Sequence, residues 1–149
     1  MPIRLATELD LDILAAWFQS EHEAKTWGGP GIRYPILSQQ LKDDIQWHNS
    51  RCYVLTHQTE QVVGFAQVSK RYGYQHLGRI GISPAMRGQS LGYQFLMELL
   101  DTVEAANGFS LFVYADNVPA RKLYEKLGFV VSEYPREQAE IEGCLFMVR

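Results

Sequence analysis

Gly81-Ile82-Ser83-Pro84-Ala85-Met86-Arg87-Gly88-Gln89-Ser90-Leu91-Gly92 is the stretch on which the fold turns. An apolar strand, Leu77 to Ser83, alternates Leu77, Arg79, Gly81 and Ser83 against Gly78, Ile80 and Ile82, and Pro84 ends it. A loop with arginine and glycine follows. The longest helical pattern in the chain then opens at Ser90 and runs to Ala106, with Leu91, Phe95, Leu99 and Val103 as its apolar stripe and Asn107-Gly108 as its stop. The first amides of a helix have no internal acceptor, and the helix dipole is positive there, so this start is a seat for a phosphate or pyrophosphate. Gly88 and Gly92 let a ligand approach the backbone, and Arg87 adds a fork that suits phosphate. The glycines fit neither G-x-G-x-x-G nor G-x-x-x-x-G-K-[ST], which disfavours a dinucleotide-binding domain and an NTPase. Taken singly, the segment reads more readily as a tight turn.

Around this stretch the chain alternates between strand and helix patterns. Ile3 to Ala6 reads as a strand, and residues 8–20, with Leu11, Leu14, Ala15 and Phe18 at helical spacing behind a Thr7 cap, read as a helix. From Glu21 to Leu37 the pattern breaks, and Trp27-Gly28-Gly29-Pro30-Gly31 predicts a loop carrying an exposed aromatic. Ser38 caps a second helix with Leu41, Ile45 and Trp47 on one side. Cys52 to Thr56 and Val62 to Lys70 form a hairpin. Downstream of the long helix, Phe109 to Ala115 is a strand, Pro119 to Leu127 a short helix closed by Gly128, and Phe129 to Tyr134 and Cys144 to Arg149 are the last strands. Hairpins mixed with crossovers predict an α/β fold: a mixed, partly antiparallel sheet with helices on both faces, in a single domain over residues 1–149.

Composition narrows the class. A chain of 149 residues with 46% hydrophobic residues is long and apolar enough to bury a core without staples. A net charge of −3 gives no electrostatic footprint for nucleic acid. The two cysteines, Cys52 and Cys144, form no CxxC and read as reduced, buried thiols, and no Cys/His pair has metal-ligand spacing. Neither a signal peptide nor a membrane-spanning run is visible, so a cytoplasmic protein free of the membrane is expected.

A second chemical element is Asp116-Asn117-Val118-Pro119-Ala120-Arg121-Lys122-Leu123-Tyr124-Glu125-Lys126-Leu127-Gly128-Phe129: an Asn after a strand opens a short helix, a Tyr sits on it, and Gly-Phe closes it. Together with Arg87 to Gly92, the set Asn117, Ala120, Tyr124, Gly128 and Phe129 resembles the GNAT superfamily of N-acetyltransferases, with its Arg/Gln-x-x-Gly-x-Gly/Ala loop and its Asn-x-x-Ala-x-x-x-Tyr-x-x-x-Gly-Phe segment. The resemblance runs from about residue 52 to 131. Ser90 departs from it, standing where the middle glycine usually lies.

The resemblance implies an acyl-CoA N-acyltransferase-like, splayed sheet and acetyl-CoA as co-substrate. It implies that Ile80 and Ile82 offer backbone groups to the pantetheine arm, that the amides from Gly88 to Gly92 hold the pyrophosphate, and that Asn117 touches the cofactor. Tyr124 would donate a proton or hydrogen bond to the leaving thiolate. A backbone N–H near Ile82 would meet the oxyanion. The reaction implied is direct attack of a primary amine, on a small molecule or a peptide, by a monomer or homodimer. The alternative is a non-catalytic acyl-CoA sensor of the same fold. The fourth strand, His76 to Ile82, carries no carboxylate, which makes His76 the candidate base there. Glu21, Glu23, Trp27 and Tyr34 are the candidate acceptor-binding residues, lying in the region where this family builds its acceptor pocket.

Overall fold

The computed structural model describes residues 2–149; Met1, the first residue of the expected domain, lies outside them. Seven strands, β1 (Ile3–Leu5), β2 (Arg51–His57), β3 (Gln61–Arg71), β4 (Tyr74–Ile82), β5 (Phe109–Tyr114), β6 (Val130–Ser132) and β7 (Cys144–Val148), form one sheet in the order β1-β2-β3-β4-β5-β7-β6. Only β4 and β5 run parallel; the other neighbours pair antiparallel. Five α-helices flank it: α1 (Asp10–Ala15), α2 (Glu21–Gly28), α3 (Ser38–Asp44), α4 (Leu91–Thr102) and α5 (Val118–Lys126).

Each face of the sheet buries its own core. Leu91, Phe95, Leu96 and Leu99 of α4 pack with Val63, Val68, Leu77 and Leu111 of the strands and with Tyr124 of α5. On the other face Leu11 and Leu14 of α1, Ala24 of α2 and Leu41 of α3 pack with Val54, Val62 and Phe65. The expected mixed α/β sheet with helices on both faces is what the chain forms. Both cysteines are buried free thiols. Among the described residues no helix is long and apolar enough to cross a membrane.

The N-terminal helices differ from expectation. The pattern over 8–20 yields a helix of only six residues, and Thr7 does not cap it. Instead the buried Asp10 carboxylate accepts hydrogen bonds from the Thr7 amide (2.7 Å) and hydroxyl (3.2 Å) and pairs with Arg4 at 2.7 Å. The chain turns after Ala15 and drives Trp17 and Phe18 inward. Residues 21–28, expected as loop, are the helix α2. Ser20 caps it by accepting from the Glu23 amide (3.1 Å), and the Glu23 carboxylate accepts from the amide of Gln19, the residue before the cap (3.1 Å), close to the reciprocal arrangement that starts many helices. Trp27 is therefore on a helix and half-buried. Ser38 is the first residue of α3 rather than its cap, and Trp47 lies in a separate 3-10 turn, Trp47–Asn49. The long helix stops at Thr102, four residues early, where Val103 takes extended backbone and is buried.

Candidate active site

The site begins with two irregularities in β4. Strands β4 and β5 pair only over Gln75–Leu77 opposite Phe109–Leu111. Beyond Leu77 they diverge, so the edge of β4 from Gly78 to Ile82 that faces β5 has no strand partner. On the other edge, the register with β3 shifts between Gln67, opposite Gly78, and Phe65, opposite Gly81. One extra residue is thus accommodated on β4, and Arg79 takes φ +46° to do so.

The gap opens into a cavity of about 1390 Å³, larger than the roughly 300–1000 Å³ of a typical small-molecule pocket, so it has room for two ligands side by side. It runs from the start of α4 and from α5 at one end to α2 and the 3-10 turn at the other.

At the first end, Gly88 has φ +80°, which a side chain resists, and a Cβ there would project into open space. Ser90 also sits in the left-handed region, at φ +61°, and does not cap the helix with its hydroxyl. That conformation is the physical reason a glycine is favoured at this place. The leading amides of α4 have no acceptor within the helix. Arg87, Gly88, Ser90, Leu91 and Gly92 line the cavity, whereas Gln89 does not. Lys126 reaches the same end, its ammonium 4.3 Å from the centre of the Tyr93 ring.

In the middle, Ile80 and Ile82 line the unpaired edge. Asn117 also lines it while its side chain accepts from the Ala120 amide at 3.4 Å, capping α5. Tyr124 is 8% exposed, its ring edge-on to Phe129 at 6.1 Å. Burial pushes its phenol up to about 12, so it stays protonated at neutral pH.

At the far end, Trp27 roofs β4. Its indole Nε1 donates to the Arg79 carbonyl (2.8 Å) and its ring stacks on Phe18 (4.6 Å). Gly81 fits closely below it, since a Cβ would lie 3.2 Å from the indole nitrogen and the ring would have to yield by a few tenths of an ångström. His76 lies under Tyr72 and Phe112, whose rings meet it edge-on at 5.1 and 5.2 Å, and its Nδ1 is 2.8 Å from the Ser110 hydroxyl. Burial first, and the Arg71 charge second, push its pKa down to about 4, so the ring is neutral at pH 7. Glu23 lines the cavity. Glu21 and Tyr34 do not: Glu21 is exposed and faces Lys25 one turn on at 3.9 Å, and Tyr34 is 37% exposed elsewhere.

Arg79 organises this end, although in the sequence it is only one member of an alternating strand. Its Nε donates to the Gly28 carbonyl (2.9 Å) at the end of α2. Its terminal nitrogens reach Gln67 Oε1 (2.8 Å) and, at 3.3 and 3.4 Å, the Asp44 and Ile45 carbonyls at the end of α3. Two helix C-termini carry partial negative charge, which suits a half-buried cation. Desolvation nevertheless holds its pKa below the usual arginine value. An arginine inside an otherwise apolar strand was the signal that could have marked it.

Comparison with known proteins agrees with this geometry. The sequence profile of the acetyltransferase (GNAT) family matches residues 12–129. A mycothiol acetyltransferase of Corynebacterium glutamicum (strain R) is 36% identical over 124 residues, covering 80% of this chain and 42% of that protein. The catalytic subunit of the N-terminal acetyltransferase B complex of Arabidopsis thaliana is 42% identical over 60 residues, 38% of this chain and 34% of that protein. The chain spans less than half the length of these curated relatives. Among solved structures, the spermidine N-acetyltransferase of Vibrio cholerae in complex with CoA and spermine superposes with a TM-score of 0.74 at 19% identity, over 99% of this chain and 94% of that one, a likeness of fold. With the splayed sheet, the glycine loop before α4 and a family profile spanning most of its length, the chain belongs to the acetyltransferase (GNAT) family.

Proposed function

We propose that this chain is an acetyl-CoA-dependent N-acetyltransferase that acetylates a primary amine of a small molecule or peptide. The observation that carries it is the parting of β4 from β5 after Leu77, which leads from the start of α4 to Tyr124.

The residues fit acetyl-CoA. On its edge facing β5, the stretch from Gly78 to Ile82 presents backbone groups that no strand satisfies, which suits the amides of a pantetheine arm. Gly88 leaves a cradle beside unpaired helix amides, with Arg87 and Lys126 nearby, which suits a pyrophosphate. Bound there, acetyl-CoA supplies the acetyl group as an activated thioester. Tyr124, protonated at neutral pH, is then a donor for the departing sulfur and never a base. A backbone N–H at the disturbed part of β4, near Ile82, is the donor this reading assigns to the oxyanion.

The acceptor must lose a proton. For an amine of pKa about 10.4 this costs roughly 4–5 kcal/mol at pH 7. His76, with a pKa of about 4, is too weak to take that proton directly. In this proposal His76 is a neutral part of the cavity floor, and Glu23, on α2, pairs with the incoming ammonium before its proton passes to water. Trp27 shapes the acceptor end beside it.

Thiol release from acetyl-CoA with a panel of amines tests the proposal. Amine-dependent release that falls in Tyr124→Phe supports it. Binding of acetyl-CoA with no turnover of any amine would instead assign a non-catalytic acyl-CoA sensor.

A further inference from the structure

The charges around the cavity are one-sided. Its lining includes one carboxylate, Glu23, against Lys70, Arg71, Arg79, Arg87 and Lys126, in a protein whose net charge is −3. Arg87 and Lys126 belong to the phosphate end, and Arg79 is spent on the Gln67 side chain and on carbonyls at the ends of α2 and α3. Lys70 and Arg71 remain, and of the two Arg71 is the one that alternates with Gln67 and Ser69 along β3.

Its position is specific. In β3, Gln67, Ser69 and Arg71 alternate onto one face, and Gln67 shows which one, since its side chain donates to the Ile45 carbonyl (2.8 Å) on the α1–α3 side. Ser69 pairs with His76, and Arg71 with Tyr74. The Arg71 guanidinium lies 4.7 Å from the centre of the Tyr72 ring, and Tyr72 in turn packs against His76 and Phe112 in the cavity floor. The charge of Arg71 is felt by both His76 and Arg79, lowering the pKa of each. No ion pair joins Arg71 to a carboxylate among the described residues. Among the described residues Glu23 is the one acidic group lining the cavity, and it already accepts from the Gln19 amide. A polyamine entering this end would meet mainly like charge. An anion would meet a guanidinium held against an aromatic ring, with Ser69, Asn49 and Ser50 along the same wall.

We infer that the acceptor is an amine that also carries an anionic group, carboxylate or phosphate, and that Arg71 is the residue that selects for that anion. This rests on the acetyltransferase proposal above. The carboxylate or phosphate pairs with Arg71, and the amine is left toward Glu23 and the open edge of β4.

Steady-state thiol release is measured with matched acceptors: glycine, β-alanine, glutamate and glycylglycine beside their amides, O-phosphoethanolamine beside ethanolamine, and spermidine. Calorimetric binding of acetyl-CoA to each variant is measured alongside. The anionic member of at least one pair is expected to have a kcat/KM higher by about tenfold or more, equivalent to about 1.4 kcal/mol. Which pair shows this separates carboxylate from phosphate. In Arg71→Gln the ratio is expected to collapse toward one, and in Arg71→Lys to be largely kept; a merely structural role for Arg71 would lower both members together and leave the ratio. Equal or better use of the neutral members, an unchanged ratio in Arg71→Gln, turnover confined to spermidine, or acetyl-CoA binding with no acetylation of any anionic amine would each overturn the inference while leaving cofactor binding intact. Failure to bind acetyl-CoA would remove the proposal beneath it as well.

Discussion

Replacing Arg79 by alanine removes the cation that the C-termini of α2 and α3 share. Two of its hydrogen bonds are short, 2.9 Å to the Gly28 carbonyl and 2.8 Å to Gln67 Oε1. Hydrogen bonds to a charged group are worth about 1.5–3 kcal/mol each, and stranding their partly buried acceptors adds to the loss. The contacts at 3.3 and 3.4 Å to Asp44 and Ile45 contribute little at that length. The expected loss is about 3–5 kcal/mol, large against a typical total of about 5–15 kcal/mol. For a chain of this size it lowers Tm by about 10 °C. Arg79→Gly separates the backbone from the side chain. It loses the same hydrogen bonds but relieves φ +46°, so it should be about 1 kcal/mol more stable than Arg79→Ala. Urea unfolding followed by tryptophan fluorescence reads both, with Trp27 reporting locally through its bond to the Arg79 carbonyl. A loss below about 1 kcal/mol in Arg79→Ala, or equal stability of the alanine and glycine variants, would refute the assignment of Arg79 as the joint between helices and sheet.

Three further outcomes are expected. Ser90→Gly relieves φ +61° at the start of α4 and should add about 1 kcal/mol, seen as a rise in Tm, without weakening acetyl-CoA binding. Tyr124→Phe should lower kcat by about 10²-fold or more with little change in KM for acetyl-CoA, and the wild-type rate should show no loss from phenol ionisation below about pH 11. For His76, the folded pKa of about 4 lies below its ordinary value of 6.5, so the unfolded chain binds more protons between those values. Stability should therefore be full above pH 6.5 and fall by up to about 3 kcal/mol toward pH 4, a slope that His76→Gln loses; NMR titration of the imidazole checks the midpoint.

The parts of the fold that depend on local backbone chemistry were legible in the sequence. Pro84 and the Arg87–Gly92 loop marked the start of α4, and Asn117 and Gly128 bracketed α5 to within a residue. The helix α2 was missed because Gly28-Gly29-Pro30-Gly31 suggested a loop for the whole segment, while the Ser20–Glu23 pairing that starts the helix was present but unread. The single helix over 8–20 failed because the chain turns after Ala15, where Trp17 and Phe18 are buried. Most of the residues expected at the phosphate end line the cavity. At the acceptor end half do: Glu23 and Trp27, but not Glu21 and Tyr34. Arg79 could not be found by spacing, since its partners stand as far as 51 residues away. The neutrality of His76 was equally hidden, because the rings that bury it come from two other places in the chain.

The claim on which everything else stands is that the opening between β4 and β5 takes acetyl-CoA with its pyrophosphate at Gly88. Calorimetric titration of the wild-type protein and of Gly88→Glu, folded alike by circular dichroism, tests it directly. Gly88→Glu places a carboxylate in the phosphate cradle and forces a side chain onto φ +80°. Saturable one-site binding by the wild type that is lost in Gly88→Glu is the expected result; no binding by the wild type, or equal binding by both, would contradict it.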